Sequence, residues 1–211
     1  MTGRRRLGLI GGTFDPPHYG HLVAAQEAAW QLDLERVLWV PAGQNPLKQS
    51  DVTSSAEDRC EMVSRAIEDN PLFELSRLDM DRPGPSFTAD LLRALQQPGQ
   101  ELFFLVGADI LPELHRWREP YEVLRLARLV VVNRPDAPVP DIRQLDETLP
   151  GARDRVDLVF IPGVSVSARY LRARVAAGQP IKYLTPPSVE AYIAERNLYR
   201  VAEPLREKRE H

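Results

Sequence analysis

Six short apolar runs rich in β-formers recur along the chain, at Leu7–Ile10, Arg36–Val40, Leu72–Leu75, Glu101–Val106, Arg128–Val132 and Val156–Ile161. They are nearly continuous in apolar residues, as strands buried on both faces are. Between them lie stretches with helical spacing, including Leu22–Leu32, Ala56–Ile67, Thr88–Leu95 and Tyr121–Leu126. Alternation of this kind predicts an α/β fold: a parallel sheet with helices on both faces, joined by right-handed crossovers. In such a sheet a ligand binds beyond the carboxyl ends of the strands, at the topological switch point, so the loops that follow the strands should carry the chemistry.

The 211 residues, 43% of them hydrophobic, suit one core and one domain over 1–211, with a helical part from about residue 165. Asn133–Pro140 is proline-rich and reads as a surface connection, and the charged stretch Glu203–His211 is expected to fray. No run approaches the roughly 20 apolar residues that cross a bilayer, and the apolar run after Arg4–Arg6 is too short for a signal peptide. A cytoplasmic protein is expected. Cys60 is the only cysteine, which excludes an intramolecular disulfide and a cysteine-built zinc site and suits a small buried residue on a helix. A net charge of −3 argues against a nucleic-acid polymer as partner. A small polyanion would have to be met by a local group of cations.

One loop offers that group. The first strand runs into Gly11-Gly12-Thr13-Phe14-Asp15-Pro16-Pro17-His18-Tyr19-Gly20-His21, where a helical pattern begins. Paired glycines let a ligand approach the backbone, and a helix start presents N–H groups to an anion, so a phosphate site is the inference. The pattern is neither GxGxxG nor GxxxxGK[ST]. His18 and His21 can both face one ligand and donate to phosphate oxygens. A helix-capping histidine and a metal pair are the alternative readings, although zinc lacks a third ligand of the usual kind nearby.

This loop resembles the signature of the HxGH nucleotidyltransferase superfamily, and GGTFDPPHYGHL in particular is similar to that of the nicotinate mononucleotide adenylyltransferase family. The resemblance implies a Rossmann-like sheet. It also implies transfer of AMP from ATP, with Mg²⁺, to a mononucleotide, and Gly11, Gly12, Thr13 and Phe14 against the ATP.

The likeness extends along most of the chain. Pro41–Lys48 is similar to the family's proline-containing loop, which implies Lys48 at the mononucleotide phosphate; alone it reads as a solvated lysine. Gly84–Leu91 resembles the family's SYT-x-D-T-L, with Phe87 for the usual tyrosine, and implies Thr88 near the pyridine ring. Taken by itself it is a helix start capped by Ser86 or Thr88. Gly107-Ala108-Asp109 with Leu111 and Trp117 looks like GADxLxxLxxW, implying Gly107 and Asp109 at adenine or ribose and Trp117 on the pyridine ring. Trp117 is otherwise a core tryptophan. Arg134 matches an arginine near the mononucleotide phosphate, or is a surface arginine in a turn. Val166–Arg172 occupies the place of ISSTxxR: Ser167 and Arg172 match, while Ala168 and Arg169 replace a serine and a threonine. Arg169 is a candidate substitute for the lost hydroxyls, and Ser167 is in any case a suitable helix cap.

The implied reaction is attack by a phosphate oxygen of nicotinic acid mononucleotide on the α-phosphorus of ATP, expelling pyrophosphate, with His18, His21 and Arg172 catalytic and Mg²⁺ bridging phosphates rather than held by protein ligands. Adenylyl transfer to nicotinamide mononucleotide or another phosphorylated acceptor, and a non-catalytic nucleotide sensor, are the rival readings. Oligomeric state is not encoded in these residues.

Overall fold

A computed structural model describes residues 5–43, 53–133 and 141–200. Its frame is a six-stranded, all-parallel sheet ordered β3-β2-β1-β4-β5-β6, from β1 (Arg5–Gly12), β2 (Arg36–Pro41), β3 (Phe73–Leu75), β4 (Gln100–Gly107), β5 (Ala127–Val132) and β6 (Val156–Val159). The expected α/β architecture is thus present. Strand order reverses between β1 and β4, where Leu9 pairs with Phe104 and Ile10 with Leu105. A crevice opens at such a reversal because the chains leave the two strands toward opposite faces.

Alternate residues of the central strands β1, β2, β4 and β5 serve two cores. Leu7, Leu9, Leu38, Val40, Leu102, Phe104, Leu129 and Val131 pack with α3 (Thr88–Leu95), α4 (Pro120–Leu126) and α5 (Arg143–Thr148). Ile10, Val37, Trp39, Phe103, Leu105 and Val130 pack on the other face with α1 (Tyr19–Gln31), α2 (Ala56–Ile67), α6 (Ala168–Ala176) and α7 (Pro187–Glu195). Small residues Ala25, Ala28 and Ala29 bring α1 close to the sheet. Cys60 is buried on α2, as its residue type suggested. No helix among the described residues is long and apolar enough to cross a membrane.

Some boundaries differ from the sequence reading. Helix α1 begins at Tyr19, three residues before the first apolar position, because His18 is its extended N-cap and its carbonyl accepts from His21 and Leu22. β6 stops at Val159, since the Ile161 N–H turns to the Asn133 side chain at 2.7 Å instead of a strand partner. At α3 the expected cap is corrected. Phe87, not Ser86 or Thr88, is the N-cap residue, and among the described residues no side-chain hydrogen bond caps this end. The GADxLxxLxxW segment forms a 3-10 helix, Ala108–Arg116, with Leu111 and Leu114 buried beneath it. Arg134–Pro140, which holds most of the expected surface connection, and the Glu203–His211 tail lie outside the described residues.

Candidate active site

The site is built at the carboxyl end of β1, where Gly11 and Gly12 end the strand and the chain turns through Thr13, Phe14 and Asp15 into α1. Phe14 has φ of +51°, a left-handed backbone that a bulky residue adopts only when packing over-determines it. Here the packing is a row of rings. Phe14 meets His21 edge-on at 5.1 Å and Trp39 at 5.3 Å, and Trp39 in turn meets Phe73 at 5.5 Å. The row ends in His21, whose imidazole stacks on that of His18 with centroids 3.8 Å apart. A hydrogen bond from the His18 N–H to His21 Nδ1, 3.3 Å, fixes the second ring against the helix start.

Gly20, between the histidines, has a steric reason. A Cβ there would lie 3.0 Å from His18 Nδ1 and 3.1 Å from its Cε1, so any side chain would displace that imidazole. The HxGH spacing therefore encodes a stacked pair, and two of the expected catalytic residues are together. Among the described residues no group of three or more His, Cys, Asp or Glu side chains is placed to hold a metal ion, so the metal-pair alternative for the histidines gains no third ligand there.

Arg172, the third, reaches the same loop from the first turns of α6. Its Nη1 donates to the Asp15 carbonyl at 2.7 Å. Ser167 is the N-cap of α6, its Oγ accepting the Tyr170 N–H at 3.2 Å, so the helix-cap reading of this serine holds. Arg169 is exposed on the same turn.

Residues that the sequence reading did not single out hold the loop from behind. Arg59 of α2, 3% exposed, donates from Nη1 to the Thr13 carbonyl at 3.0 Å and to the Ala42 carbonyl at 2.7 Å, tying the loop after β1 to the loop after β2. Burial lowers its pKa, and the nearby Asp15 charge works against that shift. Thr185 donates to the Pro17 carbonyl at 2.8 Å, and the Tyr19 N–H reaches the Leu184 carbonyl. Asp15 itself is fully buried and accepts from Tyr199, Thr53 and Ser54. Burial opposes its ionisation, yet the hydrogen bonds from Ser54, Thr53 and Tyr199 prevail and hold the carboxyl below its usual range. A charged residue in an apolar motif, Asp15 between Phe14 and Pro16, was the available signal; Thr185 and Tyr199 stood in stretches, Ile181–Ile193 and Leu198-Tyr199, that resemble the family's C-terminus without any role being implied, and Arg59 carried none.

The remaining candidates sit at the end of β4, along the 3-10 helix after it and at the start of α3. Gly107 ends β4 and Asp109 is exposed on the first turn of the 3-10 helix. Trp117 is half-buried at the end of that helix and stands edge-on to Phe104 at 6.1 Å. Phe104 also lies under Gly11, where a Cβ would approach its ring to 3.3 Å. Thr88 is the first residue of α3, behind Phe87, over whose ring the Arg118 guanidinium sits at 4.5 Å. Gly43, after β2, donates its N–H to Asp79 at 3.0 Å and approaches the Asp79 carbonyl so closely that a Cβ would be 2.6 Å away. Lys48 and Arg134 lie outside the described residues.

Comparison with known proteins agrees with this geometry. The sequence model of the cytidylyltransferase-like family matches residues 9–174. A "probable nicotinate-nucleotide adenylyltransferase" from a Roseiflexus species is 47% identical over 92% of this chain and 98% of its own length. A protein of the same name from Saccharopolyspora erythraea is 45% identical over 95% and 92%. The structure of Plasmodium falciparum nicotinic acid mononucleotide adenylyltransferase complexed with NaAD superposes with a TM-score of 0.75 at 18% identity, covering 92% of this chain and 97% of that one, which establishes likeness of fold. Sequence kinship over nearly the full length, with the HxGH pair set at the switch point of the sheet, makes the chain a member of the nicotinate-nucleotide adenylyltransferase family of cytidylyltransferase-like proteins.

Proposed function

We propose that this protein transfers the AMP of ATP to nicotinic acid mononucleotide, forming nicotinic acid adenine dinucleotide and pyrophosphate as a step of NAD synthesis in the cytoplasm. The observation that carries the reading is the stacked His18–His21 pair, mounted at a helix start on the same loop that anchors Arg172. ATP enters as its magnesium chelate, the metal held by phosphate oxygens.

A phosphate oxygen of the mononucleotide forms a new bond to the α-phosphorus, the bond from that phosphorus to the bridging oxygen breaks, and the electron pair leaves with pyrophosphate. The attacking phosphate is already ionised, so no general base is assigned. His18, His21 and Arg172 hold the triphosphate in line and meet charge as it grows on the leaving group. Gly11–Phe14 and Gly107 line the nucleotide, with Asp109 and Ser167 at its polar edges and Arg169 as an added cation. Thr88, Trp117, Lys48 and Arg134 serve the acceptor. The start of α3, which no side chain of the described residues caps, supports a site for the nicotinate carboxylate, and Trp117 offers its face to the ring.

Pyrophosphate release with magnesium ATP and a panel of acceptors tests the reading. Nicotinic acid mononucleotide should exceed the nicotinamide form by at least ~10-fold in kcat/KM, equivalent to about 1.4 kcal/mol. No release with any mononucleotide would overturn the transferase reading; equal use of acid and amide would overturn the acid preference alone.

A further inference from the structure

The Asp15 carboxylate joins three segments far apart in sequence. Tyr199 donates its hydroxyl to Oδ1 at 2.6 Å, and Thr53 donates to Oδ2 from its N–H at 2.7 Å and its hydroxyl at 3.1 Å. The backbone carbonyl of the same residue carries Arg172 at 2.7 Å. Asp15 is wholly buried, and nothing in the proposed reaction requires it to give or take a proton. Fixing its side chain on both oxygens also fixes the peptide whose carbonyl Arg172 grips. We propose that Asp15 and Tyr199 are positioning residues, a buried latch that sets Arg172 and the histidine loop in register with the segment leading into α2. Burial and the neighbouring Asp15 charge push the Tyr199 phenol up, so it remains a donor at any working pH.

The catalytic part of this inference rests on the transferase reading; the structural part does not. Tyr199→Phe removes one oxygen and keeps the ring. In the full-length free protein, exchange of the Thr53 and Ser54 amide hydrogens, which point at Asp15, should quicken at least ~10-fold. With ATP and acceptor, kcat per folded molecule should fall ~10-fold while both KM values stay within about twofold, because displacement of a catalytic group costs the chemical step. In an Arg172→Ala background the same substitution should cost less than ~2-fold, since residues acting through one another are not additive. Thr53→Val, which takes a donor from the other carboxylate oxygen, should act in the same direction.

Unchanged amide exchange or unchanged kcat in both variants would overturn the latch. So would an equal loss with and without Arg172, or a loss that merely follows the unfolded fraction. Should the unmodified protein release no pyrophosphate, the transferase reading fails by itself and the exchange measurement decides the latch.

Discussion

The two sides of the crevice are held in different ways. The loop from Gly11 to His21 is gripped from behind by buried groups: Arg59, Asp15, Thr185 and the aromatic row through Phe14 and Trp39. The side formed by α3 and Trp117 is seated on its core by apolar packing, through Ala89, Leu91 and Leu92, and its charged contacts lie at the surface. Arg118 spans Asp90 at 3.5 Å and Glu119 at 3.6 Å, with its side chain about half exposed. Exposed pairs contribute little, whereas a buried group stripped of its partner costs several kcal/mol. In the proposed reaction the first side would meet the triphosphate, whose reacting atoms must be aligned, and the second the ring of the acceptor, which needs a flat surface and one anion site.

This contrast can be broken by substitution. The largest effect belongs to the gripped side: His21→Ala should lower kcat by at least ~100-fold, since a preorganised donor to developing charge is worth roughly 2.7–4 kcal/mol. Circular dichroism should show the fold intact, and near-normal turnover would remove His21 from the chemistry. Next comes Arg59→Met, which leaves the Thr13 and Ala42 carbonyls without their charged donor and should cost about 3 kcal/mol in urea unfolding. A loss near zero would mean that the loop holds itself.

On the other side, Trp117→Ala should raise KM for acid and amide acceptors alike, by ~5–10-fold, as loss of roughly 1 kcal/mol of stacking predicts, with kcat per folded molecule little changed and some stability lost with its packing on Phe104. A KM raised for one acceptor alone would end the idea of a shared flat face. The smallest effect is a pH dependence. Asp15 has a folded-state pKa below its unfolded value, so its contribution to stability is present above about pH 4 and is lost as pH falls through the lower folded value. The stability gap between the native protein and Asp15→Asn should therefore narrow in acid, and a gap that widened there would reverse the assigned direction.

How far the sequence reached follows the same division. The central strands were legible because β1, β2, β4 and β5 are buried on both faces and leave near-continuous apolar runs, while the edge strands β3 and β6 were legible from shorter, less buried ones. The histidine pair was legible through a local motif, and Gly20 in it turns out to record a contact with His18. The grip behind the loop was not legible as a contact: Thr185 and Tyr199 stood in stretches that resemble the family's C-terminus, but, like Arg59, they act through tertiary contacts over separations of 46, 168 and 184 positions, for Arg59, Thr185 and Tyr199 in turn, and have no spacing to betray them. The cap of α3 was misread because serine and threonine on either side of Phe87 are good caps by type, while the helix starts between them.

The distance along the chain of those contacts has a consequence for assembly. β1 and the start of α1 lie at the beginning of the described chain, but the loop between them takes its partners from Arg172, Thr185 and Tyr199, separated by 157, 168 and 184 positions. Closing such long loops comes late in folding, after local structure has formed. A fragment ending before α6 would therefore carry the whole histidine signature without any of the partners that hold its loop from the far end of the chain. The motif is local in sequence, but part of its support comes with the last helices.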